Sequence, residues 1–317
     1  MVALGIVTFY LLFGRSEEAL KVLEDGCPQK SLYAWRSGIA PLDKFLCILV
    51  AFFMQAESSE GQWASGYLLS ILWSALAFMA VEGSRAKAGW LLSLTSLFAL
   101  LAQVIGVSVA VPLVWLSAYF LYDSGNTDIN QIWRRKISLA RVAAIAFFML
   151  LIILNSVALI FPFQERQKQI VALIFQLTPV LAPLGWLPFQ TSAEAPQKGG
   201  HKGVIALHLL HAGYGLVWHL VAILYVIRDS ELPARLFTIL TSWRNDQYGV
   251  YFLLIDGLVL FLSLVYLAMV EHGVLVAISV LGGAFVFGPA FALSCYFVYR
   301  EQLIAKAAGV ALSKKGQ

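Results

Sequence analysis

Charged residues are scarce in this chain. Only 13% of its 317 residues are Asp, Glu, Lys or Arg, whereas 60% are apolar; soluble domains carry about twice that share of charge. This composition excludes a disordered chain, a coiled coil, a nucleic-acid-binding protein and a typical soluble enzyme. It predicts a polytopic membrane protein whose main partner is the lipid bilayer, with no nucleic acid and no obligate protein partner.

Cysteine and histidine are scarce as well. Cys27, Cys47 and Cys295 are far apart and form no CxxC or zinc-ligand spacing, so we expect isolated thiols. Three of the five histidines fall in one apolar segment, namely His208, His211 and His219. A metal site on that segment would need more ligands than the sequence offers. We therefore predict no metal and no cofactor.

Several catalytic motifs are absent from the sequence. There is no phosphate-binding P-loop, no aspartate pair suited to magnesium-bound diphosphate, and no lysine deep in an apolar segment. No Ser-His-Asp or Cys-His arrangement stands out. These absences argue against nucleotide hydrolysis, diphosphate ionisation and a retinal Schiff base. Acid catalysis on an apolar substrate is the chemistry that remains.

Long apolar segments fill most of the chain. About 20 helical residues cross a bilayer core, and the backbone must be helical there because lipid offers it no hydrogen-bond partners. We predict eight spans, at 39–55, 63–83, 89–121, 139–161, 169–188, 203–227, 249–271 and 273–299, with 2–14 as a marginal ninth. The expected fold is an all-α transmembrane bundle in one domain (1–317). It would comprise an N-terminal apolar segment and cytosolic loop (1–38), the bundle (39–299) and a cytosolic tail (300–317).

Segment 89–121 decides the topology. It is too long for one ordinary span and short for two, and Gly106 and Pro112 mark an expected kink. We expect a single crossing, because that places most lysines and arginines on one side. The C-terminus is then cytosolic, and the endoplasmic reticulum is the expected membrane. The mildly amphipathic segment 231–243 is expected to lie on the cytosolic surface.

Polar side chains inside the predicted spans are few, and each is a site hypothesis because an ionisable group in lipid is costly. The single-crossing topology gathers most of them in the cytosolic half, namely Glu82, Asn155, Gln176, His219 and Asp256, with Gln103 nearer mid-depth. Such a gathering predicts a cavity that opens to the cytosol. Glu271, beside His272 at the far interface, is expected to be solvated.

Asp256 and Glu82 are the candidate catalytic acids. A carboxyl group in an apolar site is a candidate proton donor. The alternatives are a hydrogen bond from Asp256 to a neighbouring helix and an interfacial Glu82 beside Arg85. Gln103, Asn155, Gln176 and His219 would orient the substrate. Aromatic faces can hold a carbocation, and three mid-span residues are candidates for that path: Trp73, Tyr214 and Trp218.

Four short runs resemble one family. They are IAPLDKFLCILVAFF, VEGSR, LLAQVIGVSVAVPL and FGPAFALSCYFVYREQLI, spread from about Pro41 to Leu303. The chain resembles the fungal integral-membrane terpene cyclases of meroterpenoid pathways, of the ascochlorin and ascofuranone type. This resemblance implies a substrate that is a linear prenylated aromatic, often with a terminal epoxide on a farnesyl chain. It also implies that protonation of the epoxide starts cyclisation without metal. By analogy with smaller fungal membrane cyclases, which rely on an early Glu and a late Asp in the membrane, Glu82 and Asp256 hold comparable positions.

Two rival functions remain open at this stage. A sterol-isomerase-like enzyme would also move a proton with membrane carboxyls, in a flat and rigid pocket. A small-molecule transporter or lipid receptor would need access from the far side of the membrane.

Overall fold

The computed structural model describes residues 1–14, 16–29, 38–56, 61–86, 88–124, 136–160, 164–189, 199–242 and 247–313. All regular elements in these ranges are helical, so the predicted all-α membrane bundle is confirmed. The α-helices are α1 (Val2–Phe13), α2 (Ser16–Gln29), α3 (Ala40–Ala56), α4 (Gly61–Ser84), α5 (Trp90–Ser93), α6 (Thr95–Ile105), α7 (Val107–Ala110), α8 (Leu116–Ser124), α9 (Leu139–Ile160), α10 (Glu165–Trp186), α11 (Gly200–Arg228), α12 (Leu232–Thr241), α13 (Tyr248–His272), α14 (Val274–Phe287) and α15 (Pro289–Ser313). A π-helix (Val111–Trp115) joins α7 to α8.

Five helices in the described ranges are long and apolar enough to cross a membrane: α4, α9, α10, α11 and α13. The other three predicted spans differ. The first, at 39–55, is the 17-residue helix α3, while 89–121 and 273–299 are each broken into shorter helices. The marginal ninth, α1, has 12 residues, or roughly 18 Å at 1.5 Å per residue. That is too short to cross a hydrocarbon core of about 30 Å.

Helix α4 is the centre of the bundle. Nearly all of its residues are buried, because its Gly, Ala and Ser positions let α11, α13 and α15 approach closely. The contact between α4 and α11 shows this, since a Cβ at Gly66 would lie 2.6 Å from the Trp218 ring. The side chains of α4 therefore face other helices rather than lipid.

Residues Trp90–Ser124 form a re-entrant hairpin, which corrects the expected single crossing. The hairpin begins near the Ser84 end of α4, where the Ala86 N–H donates to the Lys136 carbonyl at 2.8 Å. The chain reverses at Gly106, whose φ of +86° breaks the helix and is a conformation that glycine adopts readily. It then returns to the Ser84 end, where the Tyr119 hydroxyl donates to Glu271 at 2.6 Å.

The hairpin reverses the expected direction of α9, α10, α11 and α13. As a result α4 and α13 run parallel: Gly257 lies against Leu68 near their starts, while Glu82 and Glu271 share Arg300 near their ends. The predicted gathering of Glu82 and Asp256 in one half of the membrane is therefore wrong. Asp256 lies 15 residues before Glu271, a separation of roughly 22 Å along the helix.

The last predicted span is two helices. Gly273 and Gly288 both have positive φ, +89° and +93°, and α14 runs back along α13 before α15 returns to the Ser84 end. Helix α15 continues to Ser313, and Arg300 and Glu301 are buried within it. The expected boundary between the bundle and a tail that begins at residue 300 is therefore not observed.

The structure also bears on two smaller expectations, the state of the cysteines and the segment 231–243. Cys47 is disulfide-bonded, so the expectation of an isolated thiol is wrong at that position, while Cys295 is a free thiol. The amphipathic segment expected at 231–243 is helix α12, which buries Leu232 and Ile239 and exposes Phe237.

Candidate active site

A cavity of about 210 Å3, termed here the acid cavity, lies among α3, α4, the hairpin tip and the start of α13. Asp256 is the one carboxyl group among its described lining residues. The wall carries seven aromatic rings, from Phe13, Phe45, Phe52, Phe53, Phe175, Tyr248 and Phe252. Three of these rings meet edge to face, with Phe52 to Phe252 centroids 5.4 Å apart and Tyr248 to Phe252 centroids 5.9 Å apart. The cavity therefore combines one acid with an aromatic, otherwise apolar surface.

Asp256 is fixed by the tip of the re-entrant hairpin. Its Oδ1 accepts from the Ser108 N–H at 3.1 Å and from the Ser108 hydroxyl. Its Oδ2 accepts from the Val107 N–H at 3.3 Å. Since a carboxyl group offers about four lone-pair positions, Oδ2 keeps capacity for another partner. Asp256 thus accepts hydrogen bonds from the backbone where the hairpin helix is broken, and it also faces the acid cavity.

Gly106 permits this contact. A Cβ at this position would lie 2.9 Å from Asp256 Oδ1 and 2.9 Å from the Phe252 ring. Only glycine fits both the positive φ and this close approach. The neighbouring Gln103 also lines the acid cavity, so one turn of the hairpin supplies an amide and two backbone donors beside the acid.

Glu82 lies in a different environment, at the opposite end of α4. Its carboxylate accepts from Arg85 Nε at 2.7 Å and from Arg300 Nη1 at 2.9 Å. Arg85 also pairs with Glu301, and Arg300 Nε donates to Glu271 at 2.8 Å. These five residues, Glu82, Arg85, Glu271, Arg300 and Glu301, form the buried ion network.

The buried ion network is also hydrogen-bonded to its surroundings. Glu271 accepts from the hydroxyls of Tyr119 and Tyr296, each at 2.6 Å, and Glu301 contacts His201 Nδ1 at 2.5 Å. The Glu271 side chain is 15% exposed, so the expectation of a solvated carboxylate is wrong. The structure does not bring Glu82 together with Asp256.

The other predicted binding residues lie in three places. His219 Nδ1 is hydrogen-bonded to the Tyr67 hydroxyl, and Trp218, which meets the Tyr214 ring edge to face at 6.5 Å, packs on Gly66. Trp73 packs against Phe175 of the acid cavity wall, with ring centroids 6.0 Å apart.

Asn155 and Gln176 lie on the α9–α10 side of the bundle. Asn155 Nδ2 donates to Thr178 Oγ1 at 3.2 Å, which links the two helices. The buried amide of Gln176 finds no hydrogen-bond partner among the described residues. Neither residue lines the acid cavity.

Sequence reasoning missed Tyr67 and most of the aromatic wall. Tyr67 is an ordinary mid-helix tyrosine in sequence, and its partner His219 is 152 positions away. None of the three phenylalanines of α3 is a candidate in the sequence analysis, although all three line the acid cavity. In the described ranges no group of three or more His, Cys, Asp and Glu side chains has a metal-binding arrangement.

Comparison with known proteins gives one match. No curated protein and no solved structure matches the sequence. The model of the CtvD domain matches residues 6–238, which include Glu82, Gln103 and the hairpin but end before Asp256. Because this match covers well over half of the 317 residues, the chain belongs to the CtvD domain family.

Proposed function

We propose that the protein is a terpene cyclase that protonates the terminal epoxide, or an olefin, of a linear farnesylated aromatic and closes a ring inside the membrane. The observation that carries this proposal is the acid cavity, in which one carboxyl group faces an aromatic wall. The family membership supports a role in meroterpenoid biosynthesis, a branch of secondary metabolism.

Asp256 is the proton donor in this proposal. The epoxide oxygen accepts the proton from Asp256, the adjacent carbon–oxygen bond breaks, and the chain's own double bond attacks the electron-poor carbon. Val107 and Ser108 supply three hydrogen-bond donors that stabilise the carboxylate left by the transfer. Gln103 lies in the same wall and would orient the oxygen.

The aromatic wall would hold the cation. Ring faces attract positive charge by roughly 0.5–2 kcal/mol for each well-placed ring, and edge-to-face rings such as Phe52 and Phe252 point their faces in different directions. The cation would end by attack of the substrate's own phenol or by loss of a proton. In either case one proton returns to the Asp256 carboxylate, so the acid is regenerated and the substrate mass is unchanged.

Glu82 is a supporting residue in this proposal. It lies roughly 20 Å from Asp256, as the spacing along α13 implies, and two arginines pair with it. We infer that it stabilises the bundle and leaves the chemistry to Asp256.

The experiment uses microsomes that contain the full chain and a farnesyl phenol bearing a terminal epoxide. Wild type should give a product of unchanged mass and new retention time, with or without chelator. Asp256→Asn keeps an oxygen for the two Ser108 donors but cannot supply the acidic proton. Its kcat should fall by about 10²–10⁴-fold, the usual contribution of a general acid.

Asp229→Asn is the matched control, because Asp229 lies on the surface beside Arg235 and does not line the acid cavity. Size-exclusion profiles in detergent would show that both variants fold. Conversion by folded Asp256→Asn at the wild-type rate would remove Asp256 as the donor. A product that forms only when a metal is added would contradict the proposed chemistry.

A further inference from the structure

A second cavity, termed here the lateral cavity, adjoins the acid cavity. It has a volume of about 390 Å3 and lies between α4, α11, α12 and α13. Leu68 and Leu253 line both cavities, so these two side chains lie where the two spaces meet. Together they hold about 600 Å3, within the range of about 300–1,000 Å3 for sites that enclose small molecules.

The lateral cavity opens toward lipid. Leu258 in its wall is 47% exposed, and the surface helix α12 covers it with Leu232, Pro233 and Leu236. An apolar molecule dissolved in the bilayer could therefore enter between α12 and α13. The acid cavity lies beyond Leu68 and Leu253, further from this opening.

One hydroxyl group marks the lateral cavity. Tyr67 is the one hydroxyl-bearing residue in its described lining, and its oxygen is hydrogen-bonded to His219 Nδ1. A phenolic oxygen can donate once and accept twice. Whichever partner donates in the Tyr67–His219 pair, the Tyr67 oxygen keeps a lone pair for a hydroxyl group of a ligand.

The fold holds this pair in place. A Cβ at Gly288, where α14 ends, would lie 2.8 Å from the His219 Cβ. Pro289, which begins α15, lines the lateral cavity. The break between α14 and α15 thus packs directly on the histidine that orients Tyr67.

We propose that the lateral cavity binds the hydroxylated aromatic head of the substrate, with its O–H donating to Tyr67, while the isoprenoid tail passes between Leu68 and Leu253 to Asp256. This inference rests on the proposed function for the identity of the tail's reactive end. It adds a binding site for the phenolic hydroxyl group of the substrate, and it adds that two separate cavities measure the length of the substrate.

The test measures binding without any reaction. The probe is tritiated hexahydrofarnesyl phenol, whose saturated chain has neither an epoxide nor an olefin to protonate, and the comparison ligand is its methyl ether. Purified full-length protein in nanodiscs should bind the phenol about 5–30-fold more tightly than the ether, because the hydrogen bond to Tyr67 is lost in the ether.

Tyr67→Phe should remove this preference by weakening the phenol alone. Tyr266→Phe is the matched control, because Tyr266 lies on α13 near Phe120 and lines neither cavity. Equal binding of phenol and ether by wild type would overturn the proposal, and would identify the lateral cavity as an acyl-chain site. An unchanged preference in Tyr67→Phe would also overturn it.

Leu253→Trp tests the connection between the cavities. The larger side chain should close the passage, so affinity for hexahydrofarnesyl phenol should fall at least tenfold while affinity for a phenol with a five-carbon chain stays the same. An equal loss for both ligands, or no loss for either, would contradict a tail that passes between the cavities. If the protein binds the phenol more tightly than the ether but does not cyclise the epoxide, this inference stands and the proposed function is wrong. If it cyclises the epoxide but binds phenol and ether equally, the proposed function stands and this inference is wrong.

Discussion

The two acidic regions of this molecule differ in what surrounds the carboxyl groups. In the buried ion network three glutamates share two arginines, and each charge has a partner of opposite sign. At the acid cavity the donors to Asp256 among the described residues are uncharged, from Val107 and Ser108. Paired charges of opposite sign hold neighbouring helices together, whereas a lone carboxyl group beside a cavity can meet a bound substrate. In the function proposed above, the first region stabilises the bundle and the second carries the chemistry.

Arg300→Met gives the largest expected effect on this comparison. The substitution leaves Glu82 and Glu271 without their shared partner, and an uncompensated buried charge costs about 3–5 kcal/mol. We expect a large fall in thermal stability of the protein in detergent and a loss of folded yield. Arg235→Met is the control, because the Arg235 side chain is 41% exposed and exposed pairs contribute little. Equal stability of the two variants would contradict a structural role for the network.

Glu82→Gln sharpens the same contrast with a smaller change. Glutamine keeps hydrogen-bond capacity toward Arg85 and Arg300 but removes the negative charge, so stability should fall by about 1–3 kcal/mol. The kcat of the folded fraction should stay within about threefold of wild type. A fall of 100-fold in kcat with unchanged stability would instead make Glu82 a catalytic acid, as the family resemblance implies. Thermal unfolding and single-turnover kinetics on the same preparation separate the two outcomes.

Gly106→Ala should affect both properties moderately. Its φ of +86° costs a non-glycine residue about 1–3 kcal/mol, and the new Cβ would press on Asp256 and Phe252. We expect kcat to fall about 10–100-fold through displacement of the acid. Gly213→Ala, in the middle of α11 with open space around its Cβ position, should leave kcat unchanged. Equal kinetics in the two variants would show that the hairpin tip does not position Asp256.

The sequence predicts the class of fold well because composition and apolar length depend on local properties of the chain. The all-α membrane bundle and all five long spans follow directly from runs such as 63–83 and 249–271. The path of 89–121 does not follow, because its direction depends on the positive φ of Gly106 and on Asp256, a partner 150 positions later. A hydropathy profile measures apolar length and carries no information on whether a segment turns back.

The candidate site shows the same limit. Asp256 and Gln103 are recognisable in sequence as polar residues inside apolar runs, and both line the acid cavity. The predicted position of Glu82 relative to Asp256 depended on the direction of every helix between them. The single crossing expected for 89–121 therefore placed both residues, wrongly, in the same half of the membrane. Tyr67 could not be identified, because a tyrosine in a membrane helix has many roles and only its contact with His219 distinguishes this one.

The hairpin tip has a consequence for the order in which the protein is made. Val107 and Ser108 leave the ribosome about 150 residues before Asp256, which accepts their hydrogen bonds. Until α13 is inserted, these backbone groups have no such acceptor, and lipid cannot supply one. The re-entrant segment therefore reaches its final depth only late in synthesis. A chain that stops before residue 256 lacks the proposed proton donor, and it also lacks the carboxyl group that accepts the hydrogen bonds of the hairpin tip.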